Sequence, residues 1–106
     1  MRDDVKKAWI EKLRSGVPQI RGKLGIGDAR CALGVLCDVA VEQGVTTKEI
    51  RPESGTVVYD GEGVHAIPLH IQQWANLRQE DITLVETLND RGDSFETIAG
   101  FIDKYL

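Results

Sequence analysis

The segment CALGVLCDVAV, residues 31–41, constrains the fold more than any other part of the chain. It is apolar almost all round, interrupted only by Gly34 and Asp38. Such a stretch predicts a helix at the centre of a domain, over about 29–43, with Asp28 as its cap and Gly44 as its stop. The other segments must then pack around it. Glycine in mid-helix costs about 1 kcal/mol relative to alanine, so Gly34 predicts close approach of another backbone at that turn.

The flanking segments carry amphipathic patterns that suit this role. Val5, Ala8, Trp9 and Leu13 recur at helical spacing and predict a first helix over about 4–15, capped by Asp3 or Asp4 and stopped at Gly16. VPQIRGKLGIGD, broken by Pro18 and several glycines, reads as a short extended piece near 19–24 followed by a turn. Residues 45–55 read as loop, and TVVYDGEGVHAI as a β-hairpin about the turn 60–63. Pro68 suits the start of a third helix with Ile71 and Trp74 on one face and Asn76 at its end. Ile82, Val85 and Leu88 mark a fourth helix. After NDRGD, a fifth carries Phe95, Ile98, Ala99, Ile102 and Tyr105, capped by Asp93 with Glu96 or by Ser94 alone. The expected fold class is α+β: one compact domain over 1–106, mostly helical with about five helices, and a small antiparallel hairpin.

Composition narrows the function classes. A chain of 106 residues, 42% hydrophobic and 28% charged, has room for one self-sufficient core. No apolar run approaches the roughly 20 residues of a membrane span. The amphipathic, acid-containing N-terminus is not a signal peptide, and two cysteines are too few for a disulfide scaffold, so a cytoplasmic location is expected. Net charge is −4, unevenly spread: residues 1–30 hold eight Lys/Arg against four Asp/Glu, and residues 31–106 hold five against thirteen. The acidic balance argues against direct nucleic-acid binding, whose affinity comes from clustered Lys and Arg.

The cysteines are the obvious reactive groups. Six residues of helix rise about 9 Å and turn side chains about 120° apart, beyond the roughly 7 Å Cα separation that a disulfide tolerates. Cys31 and Cys37 are also spaced too widely for the usual zinc pair, and His65 and His70 fall on different elements, so no metal or cofactor is expected. Cys31, near a helix N-terminus and beside Arg30, is the better nucleophile candidate, but both read as buried packing. GIGDAR lacks the third glycine of a dinucleotide fingerprint. Trp9 and Trp74 read first as core anchors.

The chain resembles a family of small hypothetical bacteriophage and prophage proteins. The resemblance rests on Trp9, Leu13-Arg14-Ser15-Gly16, Gln19, Arg21-Gly22, Leu24, the CxLGVLCD block ending at Asp38, Pro68, Trp74, and the late LNDxGxSFxxIA block from Leu88 to Ala99. It departs at Ala32, where the pattern usually has a second cysteine, and at Ile67, where it has leucine. It is similar also to uncharacterised bacterial domains containing CALGAL. The resemblance implies a phage accessory context without an activity, and it singles out polar positions.

Gln19, Arg21, Arg30, Asp38, Trp74, Asn89 and Asp90 are the candidate ligand-binding residues, with a pocket expected between the 19–24 stretch, the central helix and the 89–93 turn. Asn89 and Asp90 equally suit helix-end and turn backbone groups, and Asp38 a base from the first helix or turn amides. No nucleophile, base and orienting group stand at recognisable spacing, so no enzyme is expected. Two functional readings follow. The first is an interaction protein for a host macromolecule, met by the acids between Glu80 and Asp103. The second is a binder that sequesters an anionic, nucleotide-like small molecule through Arg14, Arg21, Lys23 and Arg30, with Trp74 or Tyr59 stacking.

Overall fold

The apolar block forms the predicted central helix, though a shorter one. A computed structural model describes residues 1–106. In chain order the elements are α1 (Asp3–Leu13), β1 (Gly25–Ile26), β2 (Ala29–Arg30), α2 (Ala32–Glu42), β3 (Lys48–Ile50), β4 (Val57–Tyr59), α3 (Leu69–Ala75), α4 (Gln79–Asp90) and α5 (Phe95–Tyr105). This is an α+β domain of five helices and two small antiparallel sheets. The Cα radius of gyration is 12.4 Å, against about 13 Å expected for one domain of this length. No helix is long and apolar enough to cross a membrane.

Helix α2 is buried from Ala32 through Ala40; α1 and α4 pack on it, and α5 packs against α1 and α4. Helix α1 contributes Val5, Trp9, Ile10 and Leu13; α4 contributes Ile82, Val85 and Leu88; α5 contributes Phe95, Ile98, Ala99 and Ile102. Trp9 is fully buried and its indole Nε1 donates to the Ala32 carbonyl at 2.9 Å, so the anchor also pins the start of α2. Ser94 caps α5 by accepting from the Thr97 amide, and Asn76 ends α3 in the left-handed conformation. Tyr105, expected on the buried stripe of α5, lies largely exposed at the helix end, its ring tilted against that of Phe101 with centroids 4.8 Å apart.

Gly34 shows the close approach its position predicts. A Cβ placed there lies 1.9 Å from the Leu24 carbonyl oxygen, so only glycine lets the 19–24 segment lie flat on α2. The extended piece is tied in at Gln19, which bridges Arg30 in parallel register.

The strands depart from expectation. Residues 25–30 form a tight hairpin (Gly25 opposite Arg30, Ile26 opposite Ala29), so α2 begins three residues later than expected and Asp28 lies in the hairpin turn rather than at a cap. The segment read as loop contains β3. Strand β4 pairs back with it (Lys48 opposite Tyr59, Ile50 opposite Val57) rather than forward with residues 64–67. The 60–63 turn does form, with Tyr59 and Gly63 exchanging backbone hydrogen bonds at 2.9 and 2.7 Å. The chain beyond it then leaves the sheet, and the Leu24 amide donates to the Val64 carbonyl at 2.8 Å. An antiparallel bridge between Ile26 and Thr56 joins the two small sheets.

Candidate functional site

Two polar clusters rest against α2, and between them they contain most of the polar positions singled out by sequence. The first surrounds Asp38. Its carboxylate accepts from Arg30 Nε at 2.8 Å, Lys48 Nζ at 3.1 Å and the Tyr59 hydroxyl at 2.6 Å. The Arg30 and Asp38 side chains are only 6% and 8% exposed. Arg30 Nη1 serves the hairpin, donating to the Gly27 and Ala29 carbonyls at 2.7 and 2.8 Å. Burial, then the hydrogen bond to Asp38, push the Tyr59 phenol far above its ordinary range. Asp38 thus pairs with Arg30 and Lys48, not with a base of the first helix or with turn amides. A buried carboxylate is tolerated when several donors replace its water, and this one has three.

The second cluster is uncharged and sits at the N-terminus of α2. Asn89 Oδ1 accepts from Gln19 Nε2 and from the Ala32 amide, both at 3.0 Å, and Asn89 Nδ2 donates to the Ile20 carbonyl at 2.8 Å. Gln19 Nε2 also donates to the Asp93 carbonyl at 2.8 Å. The first-turn amides of a helix lack intrahelical partners; here Asn89 takes Ala32 and the Cys31 thiol takes Gly34 at 3.4 Å. Cys31 is therefore the N-cap of α2, half-buried, and Cys37 is fully buried; both are free thiols. Burial raises both thiols above their ordinary values, and Asp90 and Glu86 add to the rise at Cys31. Every buried side-chain nitrogen and oxygen has a partner.

The expected pocket region holds two shallow hollows. One, of about 80 Å³, is bordered by Lys23, Cys31, His65, Glu86, Asn89 and Asp90. The other, of about 180 Å³, lies between Gln19, Arg21, Asn89 and Gly92. Small-molecule sites usually enclose about 300–1,000 Å³. Arg21 lies exposed across Gly92, and a Cβ there would meet its guanidinium at 3.1 Å. His65 faces the Gly22 carbonyl through Nδ1 at 2.8 Å.

The seven candidate residues thus fall into three places. Gln19, Arg21, Asn89 and Asp90 meet around the hollows. Arg30 and Asp38 are buried together in the charged cluster. Trp74 is elsewhere, half-buried on α3 beneath the Arg2 guanidinium at 5.8 Å. The residues proposed to hold an anion do not converge either: Arg14 pairs with Glu96 at 3.1 Å, and Tyr59 has no exposed surface for stacking. Lys48 and Cys31 are structural participants that local pattern reading missed, Lys48 because its strand has no alternation and Cys31 because a thiol is a weak acceptor seldom used as a cap.

A family model described as a domain of unknown function, DUF8296, matches residues 1–106. The chain belongs to the DUF8296 family. No curated protein and no solved structure matches it. The clusters described for this DUF8296 member are accordingly interpreted from their own geometry.

Proposed function

We propose that this DUF8296 chain is a non-enzymatic interaction protein that engages a basic protein surface through the outward face of α4. The contrast between the two sides of that helix carries the reading. Ile82, Val85, Leu88 and Asn89 are buried, whereas Leu84 is 42% exposed and Glu86 and Asp90 face solvent without an ion-pair partner in the chain. Glu86 and Asp90, one turn apart on the same flank, supply charge for recognition, and Leu84 on the other flank supplies an apolar contact. The phage-type resemblance supplies a context in which the partner is a host macromolecule, a defence component being one class that fits.

The state of the thiols supports a non-catalytic role, because a raised thiol is a poor nucleophile and Cys31 is raised by burial and by neighbouring acids. Sequestration of an anionic nucleotide-like ligand draws less support: the 80 Å³ hollow is small for one and carries Glu86 and Asp90 on its border.

Capture from a bacterial host lysate on immobilised protein tests the proposal. The wild type is expected to retain a protein partner at low salt. E86K/D90K is expected to lose it, and added salt to narrow the difference between the two. A nucleotide-sized ligand retained in native mass spectrometry, with protein capture indifferent to the reversals, would contradict it.

A further inference from the structure

Strand β3 has one paired edge and one free edge. Thr47 accepts from the Asp60 amide and the Arg51 amide donates to the Thr56 carbonyl, so the odd-numbered positions point their backbone groups at β4. By the alternation of an antiparallel ladder, the amides and carbonyls of Lys48 and Ile50 point the other way, outward. All three residues of β3 are exposed, Ile50 by 49%. Glu49 and Arg51 are also exposed, and neither makes an ion pair within the chain.

We infer that the free edge of β3 pairs antiparallel with the same edge of a second copy of this chain, centred on Ile50. The register is selected by charge. With Ile50 opposite Ile50 of the second copy, the outward backbone groups meet as a hydrogen-bonded pair. Glu49 of each copy then stands opposite Arg51 of the other in the closer, non-hydrogen-bonded positions. Both unpaired charges gain a partner, twice over by symmetry. Centring on Lys48 sets lysine against lysine, and centring on position 49 or 51 sets Glu49 against Glu49 or Arg51 against Arg51. Exposed edges are usually guarded by charge and proline. Pro52 performs that role here by limiting the ladder to a few residues, and Glu49 and Arg51 put charge of both signs on the same edge. The inference concerns a different element from α4 and is independent of the function proposed above.

Sedimentation of the full chain over a concentration series at low ionic strength tests it, alongside E49R, R51E and the swap E49R/R51E. The wild type is expected to pass from monomer to dimer as concentration rises. Each single reversal is expected to raise the dimer dissociation constant roughly tenfold, and the swap to return it within about threefold. Amide exchange at Ile50 should slow as dimer forms. A wild type that stays monomeric at about millimolar concentration overturns the inference. So does a dimer indifferent to the single reversals, or a swap that fails to restore it.

Discussion

The Asp38 cluster and the Asn89 cluster both brace α2, but by different means. At the middle of the helix a buried carboxylate is held by an arginine, a lysine and a tyrosine. At its N-terminus a neutral carboxamide joins α4, the 19–20 segment and the first free amide of α2. The charged joint fixes the hairpin and β3 to the helix; the neutral one fixes the late helices to its start. Loss of a partner strands a charge in the first case and only a dipole in the second. The buried side-chain polar atoms of both joints are already partnered within the chain.

The difference between the joints can be broken from the charged side first. Asp38→Ala leaves Arg30 buried without its counter-ion and should cost about 3–5 kcal/mol, enough to unfold a marginal domain. Denaturant melts measure it. Gly34→Ala attacks the same helix without touching charge. Its methyl cannot coexist with the Leu24 carbonyl, so about 3 kcal/mol is expected, the upper end of ordinary overpacking. Asn89→Ala should cost less, about 2 kcal/mol, because it orphans the Ala32 amide and the Ile20 carbonyl near a surface that water can reach. If Asn89→Ala proved as costly as Asp38→Ala, the distinction between charged and neutral joints would fail.

A smaller effect sharpens the comparison through pH. Cys37 and Tyr59 beside the charged joint are raised above their ordinary values of 9.0 and 10.0, so the folded state favours their protonated forms. Their contribution is fully present below pH 9. It is lost as the pH rises above the unfolded values toward the folded ones, since the unfolded chain ionises first. Urea midpoints should therefore hold steady up to about pH 9 and decline above it. Cys37 should react with a thiol reagent slowly in the native state and rapidly after unfolding. Fast native labelling of Cys37 would contradict its burial.

Which parts could be read from sequence follows from the range of the interactions. Helices α1, α3, α4 and α5 announced themselves through apolar spacing and terminal residues, and the backbone contact at Gly34 through the cost of glycine in a helix. Strand β3 could not, because Lys48-Glu49-Ile50 shows no alternation and its pairing with β4 spans a six-residue turn region. Val57–Tyr59 read correctly as strand but with the wrong partner, since local pattern fixes strand character and not pairing. Gln19, Arg21 and Asn89, grouped by sequence, do border one hollow. The hydrogen bond between Gln19 and Asn89 across 70 residues has no local signature, and it is what turns these two apparent ligand contacts into internal supports.

The most direct measurement pairs stability with partner capture for two double variants. E86K/D90K changes the free face of α4, and Q19A/N89A dismantles the neutral joint. The first should melt with the wild type and capture no partner from lysate. The second should melt at a clearly lower temperature while its folded fraction, measured well below that melt, still captures. The reverse pattern, capture lost in folded Q19A/N89A and kept in E86K/D90K, would contradict the account by making the joint itself the binding site.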